Sequence, residues 1–351
     1  MWIYWLLFLW PAIATFSDGR DIRVSPKPSW MLYSVFMTLI IGLRFEVGVD
    51  WWTYLIHLDN VVGLTWLESA QQSKDPAYGL LNWLAASTGS GVWVTNLSCA
   101  IIFVSGLLMF CRRLPNAWLA VSVAVPYIGV VMAMNYTRQG AAFGLVLWAL
   151  VALHEQRILR FVCFLILAGL FHKTAILLIP LGAVVVTQHR ALTIVWVIVA
   201  AIVTFFVMIA EVQQGLYEQY IVGRMDSDGA WIRVMMNAAP ACIFLVLRKR
   251  FDFPPSKNTL YMWLSVIALL FIPAMILSPS TTVVDRIALY FMPLQLVIYA
   301  YLPLVLQPAG LRIPVALFVV CGYALVLFVW LNYSNFHDSW IPYRFYPLEV
   351  P

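Results

Sequence analysis

The residues able to do chemistry in this chain fall in a few short stretches between long apolar runs. Arg44-Phe45-Glu46-Val47-Gly48-Val49-Asp50-Trp51-Trp52-Thr53-Tyr54 sets a cation, two carboxylates and the clustered rings Trp51, Trp52 and Tyr54 directly after the apolar run 30–43. Charges at the edge of a membrane helix are costly to hold near lipid, and they tend to be paired or to mark a site. Rings beside them anchor a segment at the interface or stack on a sugar. In Asn135-Tyr136-Thr137-Arg138-Gln139 an arginine stands where one apolar run ends and the next begins. Its guanidinium can fork two hydrogen bonds to a phosphate, with Gln139 and nearby helix N-terminal amides as further donors. Phe171-His172-Lys173-Thr174 interrupts the apolar run 161–186, and a His-Lys pair there can donate to an oxyanion or shuttle a proton. Asp285-Arg286 opens another apolar run. Asp285 reads as an N-cap paired with Arg286, or Arg286 as a further phosphate ligand.

Plainer readings stand beside these. Arg138 could snorkel at the interface, and His172 with Lys173 could form a short wet loop. Asp226-Ser227-Asp228-Gly229 has the Asp-x-Asp form that can hold a divalent cation, yet it is also ordinary turn chemistry, and the turn is the preferred reading. Lys74-Asp75-Pro76-Ala77-Tyr78 reads as a cap and turn, with Asp75 the N-cap, Pro76 at the first helical position and Tyr78 facing a cavity.

The elements that must position these residues are membrane helices. The chain has 351 residues, 63% hydrophobic and only 11% charged, against roughly 25% charged in soluble globular proteins. About twelve apolar runs approach the length needed to cross a bilayer: 2–16, 29–43, 92–111, 115–134, 139–154, 157–171, 174–188, 191–210, 233–248, 259–278, 286–306 and 311–331. The expected fold class is an all-α polytopic integral membrane protein forming a single transmembrane domain over 1–351. Segments 44–91 and 211–232 are read as interfacial or re-entrant, and 332–351 as a tail. The run 2–16 lacks a basic leader and is followed by Asp18, Arg20, Asp21 and Arg23, the wrong polarity for a cleaved signal, so it reads as a retained first helix. Its five cysteines form no metal-binding spacing and read as helix packing. No Gly-rich phosphate loop occurs, no metal or other cofactor is expected, and the net charge of +5 is a matter of topology rather than of nucleic-acid binding.

Alternating the loops collects the basic clusters on one side: Arg112-Arg113, Arg157 with Arg160, and Arg248-Lys249-Arg250 among them. By the positive-inside rule that side is cytoplasmic. The other side holds single cations (Arg44, Lys74, Arg138, Lys173, Arg286) beside Asn, Gln, His or Tyr, together with most of the carboxylates. Both termini are then expected outside. Helix centres carry almost no charge, which favours a site at the membrane surface over a path through it.

Taken in order, Arg44…Gly48-Val49-Asp50…Tyr54, Pro76-Ala77-Tyr78…Asn82, Arg138-Gln139, Phe171-His172-Lys173-Thr174-Ala175 and the tail Asn332…His337…Trp340-Ile341-Pro342-Tyr343 resemble the EpsG-type branch of the Wzy-like exopolysaccharide polymerases. The likeness covers almost the whole chain. It departs at Asp75, where such families often have Glu, and at Lys173, where a Ser-like residue is common. The resemblance implies a metal-independent, inverting glycosyltransferase of GT-C-like architecture in the bacterial inner membrane. Its partners would be polyprenyl-pyrophosphate-linked oligosaccharide and membrane lipids, with a chain-length regulator and export machinery beyond them. Arg138 and Arg286 would hold the pyrophosphate, with Gln139 and Lys173 as further ligands. Asp50 would be the base, with His172 its rival, and Arg44 would orient Asp50 or bind phosphate. Trp51, Trp52, Tyr54 and Tyr78 would meet sugar. The alternatives are an O-antigen-ligase-like or other lipid-linked-sugar glycosyltransferase, then a membrane O-acyltransferase or a glycolipid transporter.

Overall fold

The structure is a computed structural model that describes residues 1–17, 28–182, 227, 229–278, 280–306 and 308–349, with 195, 199 and 202 as isolated positions. It is helical almost throughout, because uncharged apolar runs can satisfy their backbone polar groups only within the segment. The helices are α1 (Trp2–Ser17), α2 (Pro28–Gly42), α3 (Trp51–Asp59), α4 (Trp66–Gln72), α5 (Pro76–Ser87) and α6 (Val92–Cys111). They continue as α7 (Ala117–Asn135), α8 (Thr137–His154), α9 (Ile158–Phe171) and α10 (Ala230–Leu247). Last come α11 (Pro255–Leu277), α12 (Thr281–Ala288), α13 (Pro293–Val305) and α14 (Arg312–Tyr333).

Among the described residues, five helical stretches are long and apolar enough to cross a membrane: Val92–Cys111, Ala117–Asn135, Ala230–Arg250, Pro255–Leu277 and Ala309–Tyr333. Thr281–Phe291 and Pro293–Val305, bent by 44° at their break, make a sixth if they form one span. The expectation of about twelve spans therefore meets a smaller number of full-length ones. Runs such as 2–16 and 157–171 give helices of 16 and 14 residues, near 22 Å at 1.5 Å per residue against a hydrocarbon core of ~30 Å. Apart from 195, 199 and 202, span 191–210 lies outside the described residues, as do 183–188 of span 174–188, Asp226, Asp228 and most of segment 211–232.

The centre of the bundle is α7, whose apolar window is wholly buried. Asn116 opens it, its Oδ1 accepting from the Leu119 amide at 3.1 Å. Pro126 then removes an amide from the ladder, and the helix widens into π turns over Val125–Met132. The indole of Trp340 donates to the Val130 carbonyl there at 3.1 Å. On one side α6 and α8 touch backbone to backbone: a Cβ on Gly106 would stand 2.0 Å from the Gly144 carbonyl oxygen, so only glycine permits the approach. At the other extreme α14 lies at the rim, with Phe318 79% and Leu325 60% exposed, an apolar face suited to lipid.

One end of the bundle is built differently. Segment 44–91 forms the short helices α3, α4 and α5 between α2 and α6. The tail folds back over this end, where Arg44–Phe45 and Arg344–Phe345 pair as a two-stranded antiparallel sheet. Arg344 forms an ion pair with Glu46, and the Gly48 amide donates to the Ser339 carbonyl at 2.8 Å. Tyr4 and Tyr343 donate their hydroxyls to the carbonyls of Trp340 and Ile40 at 2.6 and 2.8 Å. Gly48 has φ +100°, and a Cβ there would stand 2.9 Å from the Met134 carbonyl oxygen. The turn after the strand Arg44–Phe45 can thus approach the end of α7 only as glycine.

Candidate active site

The floor of this end is held by Arg44, which is fully buried. Its guanidinium donates to the Ile41 carbonyl at 2.7 Å, to Thr137 Oγ1 at 2.6 Å and to Asn96 Oδ1 at 3.4 Å. Arg44 therefore ties α2, α6 and the start of α8 together, and it forms no ion pair with Asp50. The expectation that it orients Asp50 or binds phosphate is replaced by this structural role. Its position beside α2 leaves its head enclosed by three helices rather than facing outward.

Two of the expected sugar-stacking rings belong to the same floor. Trp51 is 4% and Tyr54 2% exposed. The Tyr54 hydroxyl donates to the Asn135 carbonyl at 3.0 Å and accepts the Thr137 amide at 2.9 Å, which satisfies backbone groups freed where α7 ends and α8 begins. Trp52 alone of the three turns outward, at 62% exposure. Asn135 in turn fixes Asp50, whose backbone amide donates to Asn135 Oδ1 at 3.0 Å. Burial raises the proton affinity of the Asp50 carboxyl, and the cations Arg286 and Arg138 oppose that rise.

Arg138 joins most of the charged groups at this end. Its guanidinium bonds Asp75 Oδ2 at 2.6 Å and lies 5.9 Å from the Tyr78 ring centre. Asp75 stands at the N-cap position of α5, yet its side chain makes no cap hydrogen bond and reaches Arg138 instead. Burial also pushes the Asp75 carboxyl up, against Arg138, then Lys173 and Lys74. His172 Nδ1 lies 2.6 Å from Thr174 Oγ1 and 3.3 Å from the Tyr290 hydroxyl. Burial, then Arg286 and Arg138, push its imidazole down to about 3. It is therefore neutral near pH 7 and a weak proton acceptor. Gln139 donates to the Arg286 backbone carbonyl at 2.9 Å, which fixes α12 against the head of α8 rather than presenting an amide to a ligand.

Asp285 is not an N-cap and does not pair with Arg286. Helix α12 begins four positions earlier, at Thr281 after Ser280, so Asp285 sits inside it and turns inward. There it accepts from Arg233, Nε to Oδ1 at 2.6 Å and Nη2 to Oδ2 at 2.7 Å, with both side chains about 5% exposed or less. Ser227 completes the group, its hydroxyl 2.6 Å from Arg233 Nη2 and 3.0 Å from Asp285 Oδ2. Arg233 and Tyr290 were not singled out from the sequence. The only available signal for Arg233 was a lone arginine in the first turn of an apolar run.

Arg138, Arg286, Asp50, Asp75, His172 and Lys173 thus act on one another electrostatically at one end of the bundle. Cations around two carboxylates of raised proton affinity can bind an anion and accept a proton close by. On one flank Arg138 also lines a cavity of about 370 Å³ together with His57, Lys74, Tyr78 and Asn82.

Compared with known proteins, the chain matches the model of the EpsG family over residues 29–345. No curated protein and no solved structure matches it.

Proposed function

The chain belongs to the EpsG family, a family of Wzy-like polymerases, and we propose that it polymerises exopolysaccharide from lipid-linked repeat units at the outer face of a bacterial inner membrane. The observation that carries this reading is the placement of Arg138. It stands in the first turn of α8, bonded to Asp75 and within the field of Asp50 and His172. The sparse single cations of this end, set against the clusters Arg112-Arg113 and Arg248-Lys249-Arg250, support its facing outward.

In this reading Arg138 and Arg286 hold the pyrophosphate of the donor, a growing glycan on its polyprenyl carrier. Asp50 takes the proton from a hydroxyl at the non-reducing end of the incoming repeat unit. That oxygen bonds to the donor's anomeric carbon from the face opposite the leaving group, while the bond from that carbon to the pyrophosphate oxygen breaks. The configuration inverts, and polyprenyl pyrophosphate departs with the electron pair. Negative charge grows on the leaving group, so fixed guanidinium groups stabilise the transition state more than the ground state. They supply charge of the kind a divalent ion provides in other transferases, which supports a metal-independent reaction in a GT-C-like frame. Asp50 is favoured over His172 because its proton affinity is raised while that of His172 is depressed.

The test is a strain lacking the gene. Single repeat units accumulating on outward-facing polyprenyl lipid, with polymer lost, support the reading. Full-length polymer left on lipid would assign a ligase instead, and polymer lacking only acyl groups would sink both glycosyltransferase readings.

A further inference from the structure

We propose that the cavity beside Arg138 is the subsite for the terminal sugar of the acceptor, an inference that rests on the polymerase reading above. Its volume, about 370 Å³, falls within the ~300–1,000 Å³ typical of small-molecule sites. The wall comes from α3, α4 and α5 with the segments between them, and Arg138 closes one flank.

The wall has many polar groups without partners. His57, Asn60, Gln72, Lys74 and Asn82 all line the cavity, and among the described residues none makes a side-chain hydrogen bond or ion pair. Asn82 is the most informative. It is 2% exposed, and its Oδ1 is enclosed without a partner. Tyr78, also 2% exposed, holds its hydroxyl in the same condition. Native structures rarely leave such groups unpaired, since burying a polar group without a partner destabilises the fold. Both residues line the cavity, and the polar side chains open to a ligand beside them are His57, Asn60, Gln72, Lys74 and Arg138. A sugar residue carries several hydroxyls, each both donor and acceptor, and an apolar ring face. That combination matches the wall.

The rings fit the same ligand. His57 and Tyr78 line the cavity edge-on to one another with centres 6.2 Å apart, and the buried Tyr54 ring backs both at 6.3 and 5.8 Å. Burial, then the cations Arg138 and Lys74, push the His57 imidazole down to about 4, so near pH 7 it offers one donor and one acceptor. The position fits as well. Arg138 is shared between this cavity and the charged cluster around Asp50, so a sugar seated here ends against the guanidinium that would hold the donor's pyrophosphate. Helices α3–α5 then serve to grip the acceptor.

The test uses the whole chain in lipid nanodiscs and two probes: the lipid-free repeat-unit oligosaccharide, released by mild acid from lipid-linked intermediates, and polyprenyl pyrophosphate without sugar. Asn82→Ala and the outward-lying Gln72→Ala should each weaken oligosaccharide binding by about fivefold, the loss of one hydrogen bond. Binding of polyprenyl pyrophosphate should stay unchanged, and KM should rise with little change in kcat. Gln72 is exposed, so its variant reads the site without threatening the fold. If the unaltered chain binds the oligosaccharide and both variants bind it equally well, the subsite is overturned while the polymerase reading stands. A chain that polymerises yet binds no free oligosaccharide overturns the subsite too. A chain that neither binds oligosaccharide nor joins repeat units overturns both.

Discussion

Changing the two ends of the Arg138–Asp75 pair separately should have unequal effects, and the inequality tests what Arg138 is for. The bond is 2.6 Å long, with the Arg138 side chain 28% exposed and that of Asp75 7%. Asp75→Asn keeps the shape and removes the charge. The remaining guanidinium still reaches water, so the loss of folding stability should sit at the low end for a charged hydrogen bond, about 1.5 kcal/mol. Arg138→Ala instead strands a carboxylate away from water, a change that typically costs ~3–5 kcal/mol. Asp75 can soften this by taking up a proton, because burial already raises its proton affinity, so about 3 kcal/mol is expected. Activity should separate the variants more widely. If Arg138 stabilises the leaving pyrophosphate, Arg138→Ala lowers turnover by about 10²–10³. Asp75→Asn leaves the charge in place without its anchor and should lower turnover by less than about 10². The assay is polymer length and yield from lipid-linked repeat units in nanodiscs, alongside unfolding midpoints in detergent. Turnover by Arg138→Ala close to that of the unaltered chain would refute the phosphate role. Equal damage from Asp75→Asn would move the function to the ion pair itself.

Four other outcomes are expected. Asp50→Asn should cut kcat by about 10²–10⁴, the share of a general base. Because the Asp50 carboxyl is raised, activity of the unaltered chain should fall with decreasing pH at values above the ordinary Asp pKa of ~4; an acid limb at or below that value would remove Asp50 as the base. Arg233→Met should destabilise by ~3–5 kcal/mol, since it leaves Asp285 buried and unpaired, and adding Asp285→Leu should restore much of the loss; a double variant no more stable than the single one would contradict this account. Gly144→Ala puts a Cβ 2.6 Å from the Ile102 carbonyl oxygen and the Phe103 Cα, so it should lower the unfolding midpoint; an unchanged midpoint would show that α6 and α8 can separate at no cost.

The helices were legible because apolar length declares itself, and α6 coincides with the expected run 92–111. The site end was legible in part. Arg138 and Gln139 fall at a helix head, His172 falls between two helices and Lys173 opens the second of them, because polar residues interrupt apolar runs there. Partners were not legible. Nothing local says that Asp75 reaches across 63 positions to Arg138, or Asp285 across 52 to Arg233, and each had been read with the nearest available role. The same limit applies to Arg44, Trp51 and Tyr54. Their types suited a ligand wall, but Thr137 and Asn96 take up Arg44, the freed backbone at Asn135 takes up Tyr54, and Trp51 is buried against Phe45. The pairing of 44–45 with 344–345 also escaped, since two-residue strands carry no periodic signal. Among the described residues fewer runs than expected reach full span length, because runs of about fifteen residues resemble spans until their length is set against ~30 Å of hydrocarbon.

The central claim is that this chain forms glycosidic bonds between lipid-linked repeat units. The most direct measurement places the purified protein in nanodiscs with one defined polyprenyl-pyrophosphate-linked repeat unit and follows glycan length and free polyprenyl pyrophosphate together. The account predicts a ladder of multiples of the repeat, with one polyprenyl pyrophosphate released for each bond formed, and its loss in Arg138→Ala. Repeat units that stay single while the carrier stays loaded would contradict it.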